Sequence, residues 1–148
     1  MTKMIQNSKI IEKVLITLLS IVKRKTTEGY AISVMDSLIK KLEANYDFLR
    51  HVEIKDTRFS ESEEPVTVMS DVDSIPPSEV GKAIQSIIST MNESLSKDVG
   101  HFFIKEISQN IGDEYDSVMK DMGVDLNLMQ LEHEVSELEK RMTNISKK

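Results

Sequence analysis

Residues 126–146 read LNLMQLEHEVSELEKRMTNIS. In this stretch Leu128, Leu131, Val135, Leu138, Met142 and Ile145 recur at intervals of 3, 4, 3, 4 and 3. Such spacing brings side chains onto one side of an α-helix and of no other regular element. Leu128, Val135 and Met142 fall at the a positions of a heptad, and Leu131, Leu138 and Ile145 at the d positions. The stripe covers under three heptads, short for a free-standing coiled coil. In a parallel homodimer Glu134 would meet Glu139 of the other chain and repel it. An antiparallel partner would bring Glu134 near Arg141 instead, so antiparallel packing is favoured, within one chain or between two. Asp125 stands where a helix N-cap is needed, and Gly123 before it suits the end of a preceding helix.

Upstream of this helix the pattern stays helical. Val80, Ile84, Ile87, Met91 and Leu95 form a stripe that keeps phase through Val99, Phe102 or Phe103, Ile107, Ile111, Tyr115, Val118 and Met122. One straight helix of that length would reach about 65 Å at 1.5 Å per residue, long for so small a chain. Ser94–Gly100 and Gly112 are the candidate breaks, and residues 78–122 read as one helix or two. Ser78 is the expected cap, after Pro76 and Pro77. Near the start, Ile11, Val14, Leu15, Leu18, Leu19 and Val22 predict a helix over 5–25. Lys23, Arg24 and Lys25 suit its negative dipole end. Val34, Leu38, Leu42, Tyr46 and Leu49 predict another over 28–50, capped by Thr27. Between these blocks, His51–Ile54 and Pro65–Met69 alternate as strands do. Residues 52–76 therefore form either a short hairpin or an acidic loop around Ser60–Glu64. The expected fold is all-α: one domain over 1–148, an antiparallel bundle of four or five helices at 5–25, 28–50, 78–95, 98–122 and 126–146.

The chain has 148 residues, 39% hydrophobic and 30% charged, enough apolar content for a core. It has no cysteine, which excludes thiol catalysis, thiolate metal sites and disulfides. The formal charge of −6 argues against nucleic acid as a partner. That charge is uneven. Residues 1–58 carry a net +4 and residues 59–148 a net −10, so the halves can attract one another. The longest unbroken apolar run, Val14–Val22, is far below the roughly 20 residues of a membrane span. No targeting signal is read, and the expectation is a cytoplasmic protein without membrane attachment.

Motifs that carry chemistry are mostly broken or absent in this sequence. Gly81-Lys82 ends like a phosphate loop, but Pro76 stands at the upstream glycine position and Ala83 replaces the hydroxyl residue. The window Asp121–Glu132 has the length of a calcium loop but carries Leu126 where glycine is required. For metal binding, the candidates are Asp47 with His51, four apart, and Asp98 with His101, three apart. His133 falls at an f position, away from the seam. No Glu-x-x-His pair exists for a di-iron bundle, and no cofactor is expected. No residue set nominates a reaction, so the expectation is a non-enzymatic protein.

The stretch from Gly100-His101-Phe102-Phe103-Ile104-Lys105-Glu106 through Asp121-Met122-Gly123-Val124-Asp125-Leu126 resembles uncharacterised archaeal proteins, small helical bundles. The resemblance implies a helical bundle in an archaeal cytoplasm and transfers no functional residue. Together these features predict a helical interaction or scaffold module that self-associates. A dimer is favoured, and a further protein partner is compatible with the seam. The alternatives are a small-ligand or metal-binding sensor bundle and, third, a DNA-binding regulator whose wing would be the 52–76 hairpin.

Overall fold

The stripe Ile10, Ile11, Val14, Leu15, Leu18, Ile21 and Val22 covers more than one side of its helix, and every one of these side chains is buried. A helix apolar on most sides belongs at the centre of a fold. The computed structural model of this chain describes residues 5–55, 66–95, 100 and 103–146, with side chains to Met142. In it α1 (Asn7–Lys25) is that central element. Helix α2 (Glu28–Leu42), strand β2 (Val66–Val68), α3 (Pro77–Ser94) and α4 (Phe103–Ile111) all pack on it. Strand β1 (Val52–Ile54) precedes β2, and α5 (Asp113–Asp121) and α6 (Leu126–Ser146) complete the order. The protein is thus mostly helical, with one small antiparallel sheet. Among the described residues no helix is long and apolar enough to cross a membrane.

Capping follows the sequence in most places. The Thr27 hydroxyl accepts the Tyr30 N–H at 3.2 Å and opens α2. The Asp125 carboxylate accepts the Leu128 N–H at 3.1 Å and opens α6. Helix α3 does not use the expected Ser78 cap: its N-cap is Pro76, without a side-chain hydrogen bond, and Ser78 lies within the first turn. Pro77 takes its first turn, where a missing N–H costs nothing. Helix α1 lacks a local side-chain cap. Asp73, far along the chain, supplies one: its carboxylate accepts the Ser8 N–H at 2.8 Å. The Asn7 side chain donates to the carbonyls of Val72 (2.9 Å) and Ile75 (2.8 Å), which fixes the same junction.

Two expected helices are divided. The helix read over 28–50 stops at Leu42, and Asp47–His51 forms a short 3₁₀ helix instead. Phe48 and Leu49 are both buried from this 3₁₀ turn. Among the described residues the stripe over 78–122 yields three helices rather than one or two. Helix α3 ends at Ser94, and α4 and α5 part at Gly112, whose φ of +92° suits glycine. Six α-helices therefore stand among the described residues, where four or five were expected.

The hairpin reading of 52–76 holds. Val52 faces Val68, Glu53 faces Thr67 and Ile54 faces Val66. The four apolar residues share one side, with Val52 and Val66 buried, while Glu53 and Thr67 are on the other. The acidic segment Ser60–Glu64 lies outside the described residues.

The junction between α5 and α6 positions the last helix. Val124 N–H donates to the Met119 carbonyl (2.8 Å) and Gly123 N–H to that of Lys120 (3.0 Å), with Gly123 at φ +94°. This is a Schellman turn, and Val124 and Met119 pack beneath it, both fully buried. Helix α3 lies against the turn at Gly81. A Cβ on Gly81 would stand 2.1 Å from the Met122 carbonyl oxygen. The glycine that ended an imperfect phosphate loop thus serves close packing of two backbones.

Candidate interaction surface

Helix α6 has two apolar faces. Leu126 and Met129 are buried, and Gln130 is buried beside them. The Gln130 side-chain oxygen accepts the Lys105 N–H at 3.1 Å, serving the first turn of α4. His133, one turn further, bonds through Nδ1 to Asn92 Nδ2 at 3.2 Å across the groove to α3. Asn92 is only 4% exposed, and its Oδ1 has no hydrogen-bond partner among the described residues. This inward face seats the N-terminal half of α6.

The outward face is the heptad seam. Leu128 (50%), Leu131 (56%), Val135 (46%), Leu138 (52%) and Met142 (58%) are all exposed. They account for five of the seven large hydrophobic side chains exposed among the described residues. The side chain of Ile145, the sixth seam position, lies outside those described. From Leu128 to Met142 the stripe runs about 21 Å along the helix. Glu134 and Arg141 flank it at g positions, Glu132 and Glu139 at e positions.

The basic clusters are engaged within the chain. Glu106 of α4 pairs with Arg24 (3.4 Å) and with Lys25, Lys23 approaches Glu28 at 3.6 Å, and Lys40 pairs with Asp36 at 3.0 Å. The first contact joins the basic front of the chain to its acidic back, as the uneven charge suggests. These pairs are partly or largely solvent-exposed and each contributes about 1 kcal/mol or less.

Asp47 and His51 lie at the two ends of the 3₁₀ helix. With three residues per turn, positions four apart point about 120° away from each other. The 3₁₀ backbone thus spaces them differently from the α-helical face read from the sequence. Asp47 instead accepts from Arg50 at 3.2 Å. Both residues line an open cleft of about 630 Å³, with Arg50, Asp71, Glu79 and Lys82 also on its walls. Among the described residues no group of three or more His, Asp or Glu side chains is placed to hold a metal ion. Asp98 and His101 lie outside the described residues.

Sequence reasoning found the seam but missed Gln130 and Asn92, the polar residues that seat α6. The available signal was that Leu126 and Met129 sit off the seam, which already implies a second buried face. No family model, no curated protein and no solved structure matches this chain.

Proposed function

We propose that this chain is a non-enzymatic helical interaction module, built as an antiparallel helical bundle, that self-associates through the outward face of α6. The observation that carries this reading is the seam itself: five large apolar side chains at a and d positions stand exposed in one row. Scattered exposed apolar residues need no explanation, but a contiguous row of them marks an interaction site. The heptad spacing names the class of partner, another helix with the same repeat. A second copy supplies one.

Magnitudes set the expected strength. Fully burying one such side chain contributes about 1.5–3 kcal/mol, so covering its exposed half contributes roughly half of that. Ten half-exposed side chains in a dimer then contribute on the order of 10 kcal/mol. Association itself costs about 4–15 kcal/mol. The difference places the dimer in the micromolar range or weaker, a reversible assembly rather than an obligate one. An archaeal cytoplasm, implied by the resemblance at Gly100–Leu126, belongs to the same reading.

Native mass spectrometry and sedimentation between about 1 and 200 µM test it. A concentration-dependent dimer is expected, with no added mass. The double substitution Leu131→Lys, Leu138→Lys is expected to leave a folded monomer, because neither side chain is part of the buried core. A wild-type chain that stays monomeric throughout overturns the reading.

A second reading, a small-ligand sensor, is favoured by the polar cleft beside Asp47 and His51. It predicts a stoichiometric adduct in the same spectra, lost when His51, His101 and His133 are replaced together. A DNA-binding regulator has less in its favour, since Glu106 already sits on Arg24 and Lys25.

A further inference from the structure

We infer that two copies of α6 pair antiparallel about a two-fold axis that passes between Ser136 and Glu137. The inference rests on the self-association reading and adds its geometry. In an antiparallel coiled coil each a residue meets a d residue of the other helix. With the axis between Ser136 and Glu137, Val135 meets Leu138 of the second copy in the two central layers. Leu131 then meets Met142, and Leu128 meets Ile145. All six seam positions of each chain are used, giving six layers, and a slip of one heptad in either direction leaves some of them unpaired.

Two observations select this arrangement over a parallel one. The first is charge. On the g side the register sets Glu134 against Arg141 of the second copy, twice by symmetry. On the e side it sets Glu132 against Glu139, also twice, so the dimer has one attractive and one repulsive edge. The parallel alternative repeats Glu134 against Glu139 and has no attractive pair between its flanking residues, so the antiparallel form is the better of the two. The second observation is support. Leu126, Met129 and Gln130 fix the first turns of α6 to the body, whereas Leu138, Glu139, Lys140 and Arg141 are exposed. Antiparallel pairing lays each exposed C-terminal half on the anchored N-terminal half of the other copy. Parallel pairing would set the two exposed halves against each other.

Absence of cysteine from the sequence makes the register directly testable in the full-length protein. Two single variants, Val135→Cys and Leu138→Cys, are purified separately, mixed and oxidised mildly with oxidised glutathione. Their intact masses differ, so the covalent hetero-pair is distinguishable from either homo-pair. A disulfide needs Cα atoms within about 4.4–6.8 Å, which the a–d′ layer provides and adjacent layers do not. The expected result is a hetero-pair at least about tenfold more abundant than either homo-pair, against the twofold excess of random pairing. A dominant Val135→Cys homo-pair means a parallel dimer and overturns the inference. Equal yields at the random ratio overturn it as well, while a dimer in the native spectrum of the wild type would leave self-association standing. A wild type with no dimer in that spectrum overturns both, and assigns the seam to a helix of another protein.

Discussion

Gly81→Ala separates the two roles that this glycine can have in α3. In an unhindered helix interior the change is favourable, because alanine exceeds glycine in helix propensity by about 1 kcal/mol. Here the added methyl would stand 2.1 Å from the Met122 carbonyl oxygen and 3.0 Å from its carbon. Both atoms are backbone, and they belong to the turn that closes α5 and launches α6. Ordinary contact needs about 1 Å more, and a Schellman turn held by two hydrogen bonds cannot swing aside as a side chain would. Overpacking of this kind costs typically 1–3 kcal/mol, and more where backbone must move. After the propensity gain, a net loss of about 2 kcal/mol is expected. For a chain of this length that corresponds to a fall in Tm of roughly 4–8 °C. Urea unfolding followed by circular dichroism is the assay, with a lower midpoint and an unchanged slope as the expected signature. An alanine variant as stable as the wild type, or more stable, would refute the seating of α3 against this turn.

Other perturbations probe the remaining junctions. Asp73→Ala removes the distant cap of α1 and is expected to cost about 1 kcal/mol in urea titration, with Asp73→Asn recovering part of it because an acceptor oxygen stays. Gln130→Met takes away the acceptor for the Lys105 N–H and should cost about 1–2 kcal/mol. Hydrogen exchange would show the loss in the first turn of α4; unchanged protection there would dispute the role of Gln130. Glu106→Gln breaks the contacts to Arg24 and Lys25, yet these are partly exposed, so less than about 1 kcal/mol should be lost and the loss should shrink further in high salt.

Helices were legible in this sequence where one stripe faces one neighbour. Thr27, Asp125 and Gly123 mark ends that the structure keeps. The stripe over 28–50 misled because Tyr46 and Leu49 stay in phase while the chain has already left the helix. Tyr46 adopts φ −131° and ψ 85°, and its hydroxyl is 2.9 Å from that of Ser86 on α3. Tertiary contact, absent from any local pattern, decides that turn. The breaks near 94 and at Gly112 were visible only as isolated residues, since hydrophobic phase survives a change of helix direction. The seam was legible as a heptad, but its exposure depends on which other face of α6 is taken. Leu126, Met129 and Gln130 settle that, and a buried glutamine announces itself in no periodicity.

The central position of α1 has a consequence during synthesis. It leaves the ribosome well before α4, one of the elements that cover it, which begins only at Phe103. Translation of the intervening chain at 5–20 residues per second lasts roughly 4–16 s. Through that interval the apolar sides of α1 can rest on α2 and, later, on the hairpin, but not on α4. The Asp73 cap must likewise close a loop of 65 residues before the helix start is secured. The nascent chain is therefore expected to engage holdase chaperones until α4 emerges, and fragments ending before residue 103 should aggregate where the full chain folds.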